Sequence, residues 1–183
     1  MEEVANIEPE LKPKFINAFM DCADRFAQLS SAKRAKVGSI IVKSNRIISI
    51  GYNGMPSGWD NTCETEETIN DVPHMREEYA KRGYVMQTRS DSIVWIKQHT
   101  RPEVLHAEAN AITKLAKSGE SSRDAVIFCT HLPCIECAKL IHQAGISKVY
   151  YREAYNAAKG SGQTFLEQSG IQTRQIQYSD NTG

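Results

Sequence analysis

The sequence predicts an α/β protein of three layers, α/β/α, in which helices cover a mixed sheet of about five strands. Three observations predict it. An N-terminal segment carries apolar residues at helical spacing, and two β-branched runs follow with two residues between them. Beyond residue 106, helix-like and strand-like segments alternate almost to the end. A hairpin followed by αβαβαβ is a pattern that gives one sheet helices to bury its faces.

Taken in order, residues 10–30 (ELKPKFINAFMDCADRFAQLS) place Phe15, Phe19, Cys22, Phe26 and Leu29 at helical spacing, so an amphipathic helix is expected. The basic stretch SAKRAK leads into VGSIIVK and RIISIGY, which Ser44 and Asn45 separate, and these read as a hairpin. NGMPSGWDN is dense in turn-forming residues and reads as a loop. Residues 61–104 are polar and lack a period, and are expected to be an irregular insertion with short helices at most. The pattern then sharpens into helix 107–118, strand 125–129, helix 134–144, strand 147–151, helix 160–168 and strand 171–177. Gly119 and Gly145 fit as helix stops. The length of 183 residues suits one domain, 1–183, carrying that insertion.

Composition narrows the function. Hydrophobic residues make up 40% and charged residues 24%, as in a globular chain. Lys+Arg and Asp+Glu balance at 22 each, so no polyanion partner is advertised and nucleic acid is not expected as one. There is no apolar run of membrane-spanning length, and MEEVANIEPE has no signal-peptide character; no membrane partner is expected. The five cysteines, Cys22, Cys63, Cys129, Cys134 and Cys137, are an odd number, which favours free thiols or metal ligands and a cytoplasmic setting.

The chemistry is concentrated in HAEANAI (106–112) and PCIECAK (133–139). An imidazole and two thiolates make a good Zn²⁺ ligand set, and three protein ligands leave one position for water. Cys134 and Cys137 lie one helical turn apart after Pro133, so a helix N-terminus can aim both sulfurs at one point and its dipole favours thiolates there. Glu108, two residues beyond His106, is offset from the ligand direction but within reach of a metal-bound water. Paired cysteines can also be small buried hydrophobes, and His-x-Glu arises by chance in many helices. Their joint occurrence at two helix starts selects the metal reading: ligands His106, Cys134 and Cys137, with Glu108 catalytic.

This H-x-E…P-C-x-x-C pattern resembles the zinc-dependent cytidine/deoxycytidylate deaminase superfamily. The likeness runs from about Val37 to Ile176. It is closest to the deoxycytidylate (dCMP) deaminase family, through VGSIIV, RIISIGYNGMPSG, HAEANAI, PCIECAKLIHQAGISKVYY and FLEQSGI. The resemblance implies a cytidine-deaminase-like fold, one catalytic zinc per chain, and hydrolysis of dCMP to dUMP and ammonia, supplying dUMP for thymidylate synthesis. It also implies base contacts from the backbone around Ala107 and sugar contact from Asn53, a position that would otherwise read as a turn residue before Gly54. A monophosphate needs cationic or hydroxyl donors; of the basic residues before the first strand and the tyrosines after the fourth, Arg34 and Tyr155 are chosen. In the family the GYNGMPSG loop belongs to an allosteric nucleotide site, here Gly51, Asn53, Gly54 and Gly58, where dCTP with Mg²⁺ activates and dTTP inhibits. The alternative for the loop is a turn that needs glycine for geometry alone. Members are commonly homohexamers. Some carry a structural zinc in the insertion; Cys63, His74 and His99 are the candidates here, and without a fourth ligand no such site is expected. The competing functions are another cytosine nucleoside or nucleotide deaminase, a tRNA or DNA base deaminase, and a non-catalytic zinc module.

Overall fold

The β-branched run of residues 38–43 forms β1 (Gly38–Lys43) and pairs antiparallel with β2 (Arg46–Tyr52), Ile40 facing Ile50 across the ladder. The turn between them holds Ser44 at φ 49° and Asn45 at φ 59°, the two left-handed residues of a tight hairpin whose twist matches its strands. In the computed structural model, which describes residues 11–154 and 161–178, this hairpin is one edge of a five-stranded sheet. The order is β2-β1-β6-β7-β8, with β6 Val126–His131, β7 Lys148–Glu153 and β8 Gln172–Gln175. β1 runs antiparallel to β6, whereas β6, β7 and β8 run parallel, so the sheet is mixed as expected.

Alternation along the strands divides the core into two layers. Ile40, Val42, Phe128 and Tyr150 face α1 (Pro13–Ala27), whose Ile16, Met20 and Ala23 cover them. Ile41, Ile127, Cys129 and Val149 face the opposite way, onto α3 (Ala107–Leu115), α4 (Ile135–Gln143) and α5 (Gln163–Gln168). The architecture is the three-layer α/β/α fold. Two glycines set how closely the helices approach. A Cβ on Gly38 would stand 2.1 Å from the Ala23 carbonyl oxygen, and one on Gly51 2.1 Å from that of Ala107, so each strand presses on a helix backbone. The buried Arg152 guanidinium forks onto Asp21 and Asp24 and ties β7 to α1.

The segment expected to be irregular is ordered. Residues 64–100 form a second, three-stranded antiparallel sheet of order β3-β5-β4, with β3 Glu64–Asn70, β4 Val85–Arg89 and β5 Ser92–Thr100, and a short helix α2 (Arg76–Lys81). Polar residues pair across it: Arg89 with Glu66 at 3.0 Å and His99 with Glu67 at 3.0 Å. Tyr84 also donates to Glu67, and Tyr79, Tyr84 and Trp95 form a small aromatic core. The helix over 107–118 stops at Leu115, and Gly119 is not left-handed. Gly145 is, at φ 70°, and the Ile146 N–H closes the end of α4 onto the Ile141 carbonyl at 3.2 Å. Among the described residues no helix is long and apolar enough to cross a membrane.

Candidate active site

Two helix starts meet at one point. His106 is the extended N-cap residue of α3 and Cys134 that of α4, while Cys137 lies in the first turn of α4. Pro133 directs the chain out of β6 into that cap, at the carboxyl end of a parallel strand, where α/β sheets place their sites. The three side chains converge: His106 Nδ1 lies 3.5 Å from Cys134 Sγ and 3.4 Å from Cys137 Sγ. A tetrahedral zinc with Zn–N near 2.0–2.1 Å and Zn–S near 2.3 Å sets nitrogen and sulfur about 3.5 Å apart, so the donor set fits zinc in size as well as in chemistry. Among the described residues this is the one such convergence of His, Cys, Asp and Glu ligand atoms.

The electrostatics agree with that fit. A hydrogen bond from the Cys137 side chain, with help from His106, holds the Cys134 thiol down to about 3. The same bond, burial and the Glu108 charge push Cys137 up. Cys134 is thus the readier thiolate of the pair, and a divalent cation would favour the deprotonated form of both. Glu108, in the first turn of α3, is 4% exposed; burial raises its carboxyl above the ordinary range, against the lowering effect of its own backbone N–H. The Cys137 side chain is within hydrogen-bonding reach of it, so the carboxyl stands beside the ligand cluster. Behind them, burial drives the Cys129 thiol well up, which makes it a neutral core residue.

A cavity of about 220 Å³ opens onto this centre. Of the residues chosen from sequence, His106, Ala107, Glu108, Cys134, Asn53 and Arg34 line it. Asn53 also staples the approach to β1: its Oδ1 accepts the Val37 N–H at 2.8 Å and its Nδ2 donates to the Ala35 carbonyl at 2.9 Å. Arg34 donates to Thr100 Oγ1 at 2.9 Å. Tyr155 lies outside the described residues. The glycines of the GYNGMPSG loop are not gathered with their N–H groups free. Gly51 belongs to the β1–β2 ladder, and Gly54 exchanges both backbone hydrogen bonds with Leu105, at 3.1 and 2.9 Å. Gly54 is not left-handed; Gly58 is, at φ 86°. Cys63 is buried against Ala32 and Val104, and His99 is turned to Glu67.

The cavity also contains residues that sequence reasoning passed over: Glu64, Thr100 and Val104, from the second sheet and the loop after it, and Leu132. His131 lines the cavity as well, and burial lowers its imidazole so that the neutral form is favoured. The far side of the metal turn is clamped. Ser161 bridges to Cys134, and the Gly162 N–H donates to the Pro133 carbonyl at 3.1 Å. A Cβ on Gly162 would stand 2.5 Å from that oxygen.

With this geometry in hand, the likeness to known proteins is specific. The family model described as the cytidine and deoxycytidylate deaminase zinc-binding region matches residues 13–153. The deoxycytidylate deaminase of Enterobacteria phage T4 is 36% identical over 148 residues, covering 75% of this chain and 77% of that one. ComE operon protein 2 of Bacillus subtilis is 32% identical over 162 residues, covering 88% and 71%. The crystal structure of dCMP deaminase from the cyanophage S-TIM5, in complex with dCMP and dUMP, superposes with a TM-score of 0.69 at 38% identity, covering 91% of this chain and all (100%) of that one.

Proposed function

The chain belongs to the zinc-binding cytidine and deoxycytidylate deaminase family, and from that premise we propose that it hydrolyses dCMP to dUMP and ammonia, supplying dUMP for thymidylate synthesis. The observation that carries this reading is the convergence of His106, Cys134 and Cys137 beside a cavity that His106, Cys134, the buried Glu108 and Arg34 line. The likeness to a deaminase crystallised with dCMP and dUMP supports the choice of nucleotide.

Held by His106, Cys134 and Cys137, a zinc ion would make a water acidic enough to yield hydroxide at neutral pH, the nucleophile needed at C4 of the cytosine. Glu108 takes the proton of that water, gives it to N3, and then assists the 4-amino group to leave as ammonia. A carboxyl raised by burial suits both directions of transfer. Backbone groups at Ala107 and the Cys134 turn hold the pyrimidine edge. Asn53 contacts the sugar, and Arg34 with Tyr155 binds the 5′-phosphate.

The chain is read as one deaminase domain bearing the second sheet as an inserted lobe, acting as a cytoplasmic homohexamer; its five free cysteines suit a reducing compartment. Activation by dCTP with Mg²⁺ and inhibition by dTTP are assigned to the GYNGMPSG loop by resemblance. Because the Gly51 and Gly54 N–H groups are engaged, an effector there would draw on Gly58 and its neighbours.

The test is ammonia release from dCMP, CMP, deoxycytidine and dCTP, with and without dCTP–Mg²⁺ as effector. The reading expects dCMP to be preferred over deoxycytidine by at least about tenfold, the scale of a charge-assisted phosphate contact. Equal rates for the two would make this a nucleoside deaminase.

A further inference from the structure

The carboxylate of Glu64 is 8% exposed and faces the cavity, yet it has no cationic partner among the described residues. One oxygen is fully used: Oε1 accepts the Lys33 N–H at 2.9 Å and the Arg34 N–H at 3.2 Å. Oε2 accepts nothing from a described residue, and it is not sealed from solvent. A nearly buried carboxylate oxygen that opens on a binding cavity demands a donor when a ligand displaces the water there.

The substrate offers few donors. Resting on the reading above, cytosine C4 must stand at the ligand triad, which takes the 4-amino group to that end of the cavity. Glu64 lines the same cavity and is bonded to the backbone of Arg34, the residue assigned above to the 5′-phosphate. A carboxylate repels the phosphate oxygens and the pyrimidine carbonyl. The remaining donor between base and phosphate is the sugar hydroxyl. We propose that Glu64 Oε2 accepts the 3′-hydroxyl of the deoxyribose, making Glu64 a substrate-binding residue that measures the distance from the metal centre to the Arg34 loop. Its rung partner Thr100 meets the Arg34 side chain at 2.9 Å, so one end of the second sheet fixes both the hydroxyl acceptor and the cation.

The experiment pairs the zinc-loaded wild type and Glu64→Gln with dCMP and with 2′,3′-dideoxycytidine 5′-monophosphate, which lacks the hydroxyl. Gln keeps an oxygen for the two backbone N–H groups, so the loop stays held while the charged acceptor is lost. Wild type should favour dCMP by about tenfold or more in kcat/KM, the scale of a charge-assisted hydrogen bond. Glu64→Gln should lose that factor on dCMP, chiefly through KM, and lose little on the dideoxy substrate. A purely structural role would lower both substrates equally, and that result overturns the proposal. So does a wild type that treats the two substrates alike, a measurement that stands even if the variant fails to fold. A zinc-loaded wild type inert toward dCMP but active on another cytosine compound would overturn the dCMP reading itself, and this inference with it.

Discussion

The two sheets of this molecule are held by different physics. In the five-stranded sheet, Ile40, Ile41, Ile127, Phe128 and Val149 are wholly buried between helices on both faces. In the three-stranded sheet every residue of β4 is exposed, and strand is tied to strand by Arg89–Glu66, His99–Glu67 and Tyr84–Glu67. The first is a core cohering chiefly by area removed from water. The second is a ribbon whose polar pairs titrate and are screened. What the difference teaches is a division of labour: the helices packed on the five-stranded sheet carry His106, Glu108, Cys134 and Cys137, and the ribbon brings Glu64 and Thr100 to the cavity wall.

The sharpest break of the comparison is chemical. Glu108→Gln should retain zinc and thermal stability but lose at least about 10²–10⁴-fold in turnover, because Gln moves no proton. Metal analysis alongside ammonia release checks it; near-normal turnover in the zinc-loaded variant would remove Glu108 from the mechanism.

Next comes packing. Phe128 is fully buried and stacks on Tyr150 with ring centroids 4.9 Å apart, so Phe128→Ala should cost about 3–5 kcal/mol in denaturant unfolding. Val85→Ala, on the exposed edge of the ribbon, should stay within about 0.5 kcal/mol. Comparable losses at the two positions would mean that the edge of the ribbon is packed as tightly as the larger core.

Acid should separate the sheets more gently. Hydrogen bonds from Arg89, Tyr84 and Arg76 hold the carboxyls of Glu66, Glu67 and Asp71, respectively, below their ordinary values of 4.5, 4.5 and 3.8. Carboxyls lowered in the folded state contribute stability that is complete above the unfolded values and disappears as pH falls through the folded ones. Amide exchange should therefore show β3–β5 losing protection below about pH 4 before β6 does. Simultaneous loss would mean the sheets unfold as one unit. The smallest effect expected is that of salt: near neutral pH, about 1 M NaCl should loosen the ribbon amides slightly and leave those of β6 unchanged.

The same contrast explains what could be read in advance. β1, β6 and β7 are legible because strands buried on both faces are written as runs of Ile, Val, Phe and Tyr. β4, VMQTR, is exposed throughout, and β3, ETEETIN, buries Glu64 and half-buries Ile69 while the rest is exposed, so no alternation marks them as strands. The ligands and Glu108 are legible because helix starts fix their spacing within a few residues. Glu64 is not, since its partners Lys33 and Arg34 lie 31 and 30 positions away and only the fold brings them together. The GYNGMPSG glycines show the opposite failure. Gly51 is required by the backbone of α3 pressing on it, a cause that no local pattern states.

The clamp of Ser161 and Gly162 on the Cys134 turn gives the site a schedule. A chain emerging from the ribosome releases His106, Cys134 and Cys137 well before the residues that brace them. A metal bound at that moment would sit in a turn that Ser161 and Gly162 do not yet brace. The cradle closes when the chain has lengthened by some two dozen residues and Gly162 seats against Pro133. The bracing of the Cys134 turn thus comes from residues that are synthesised after all three of the residues that would hold zinc.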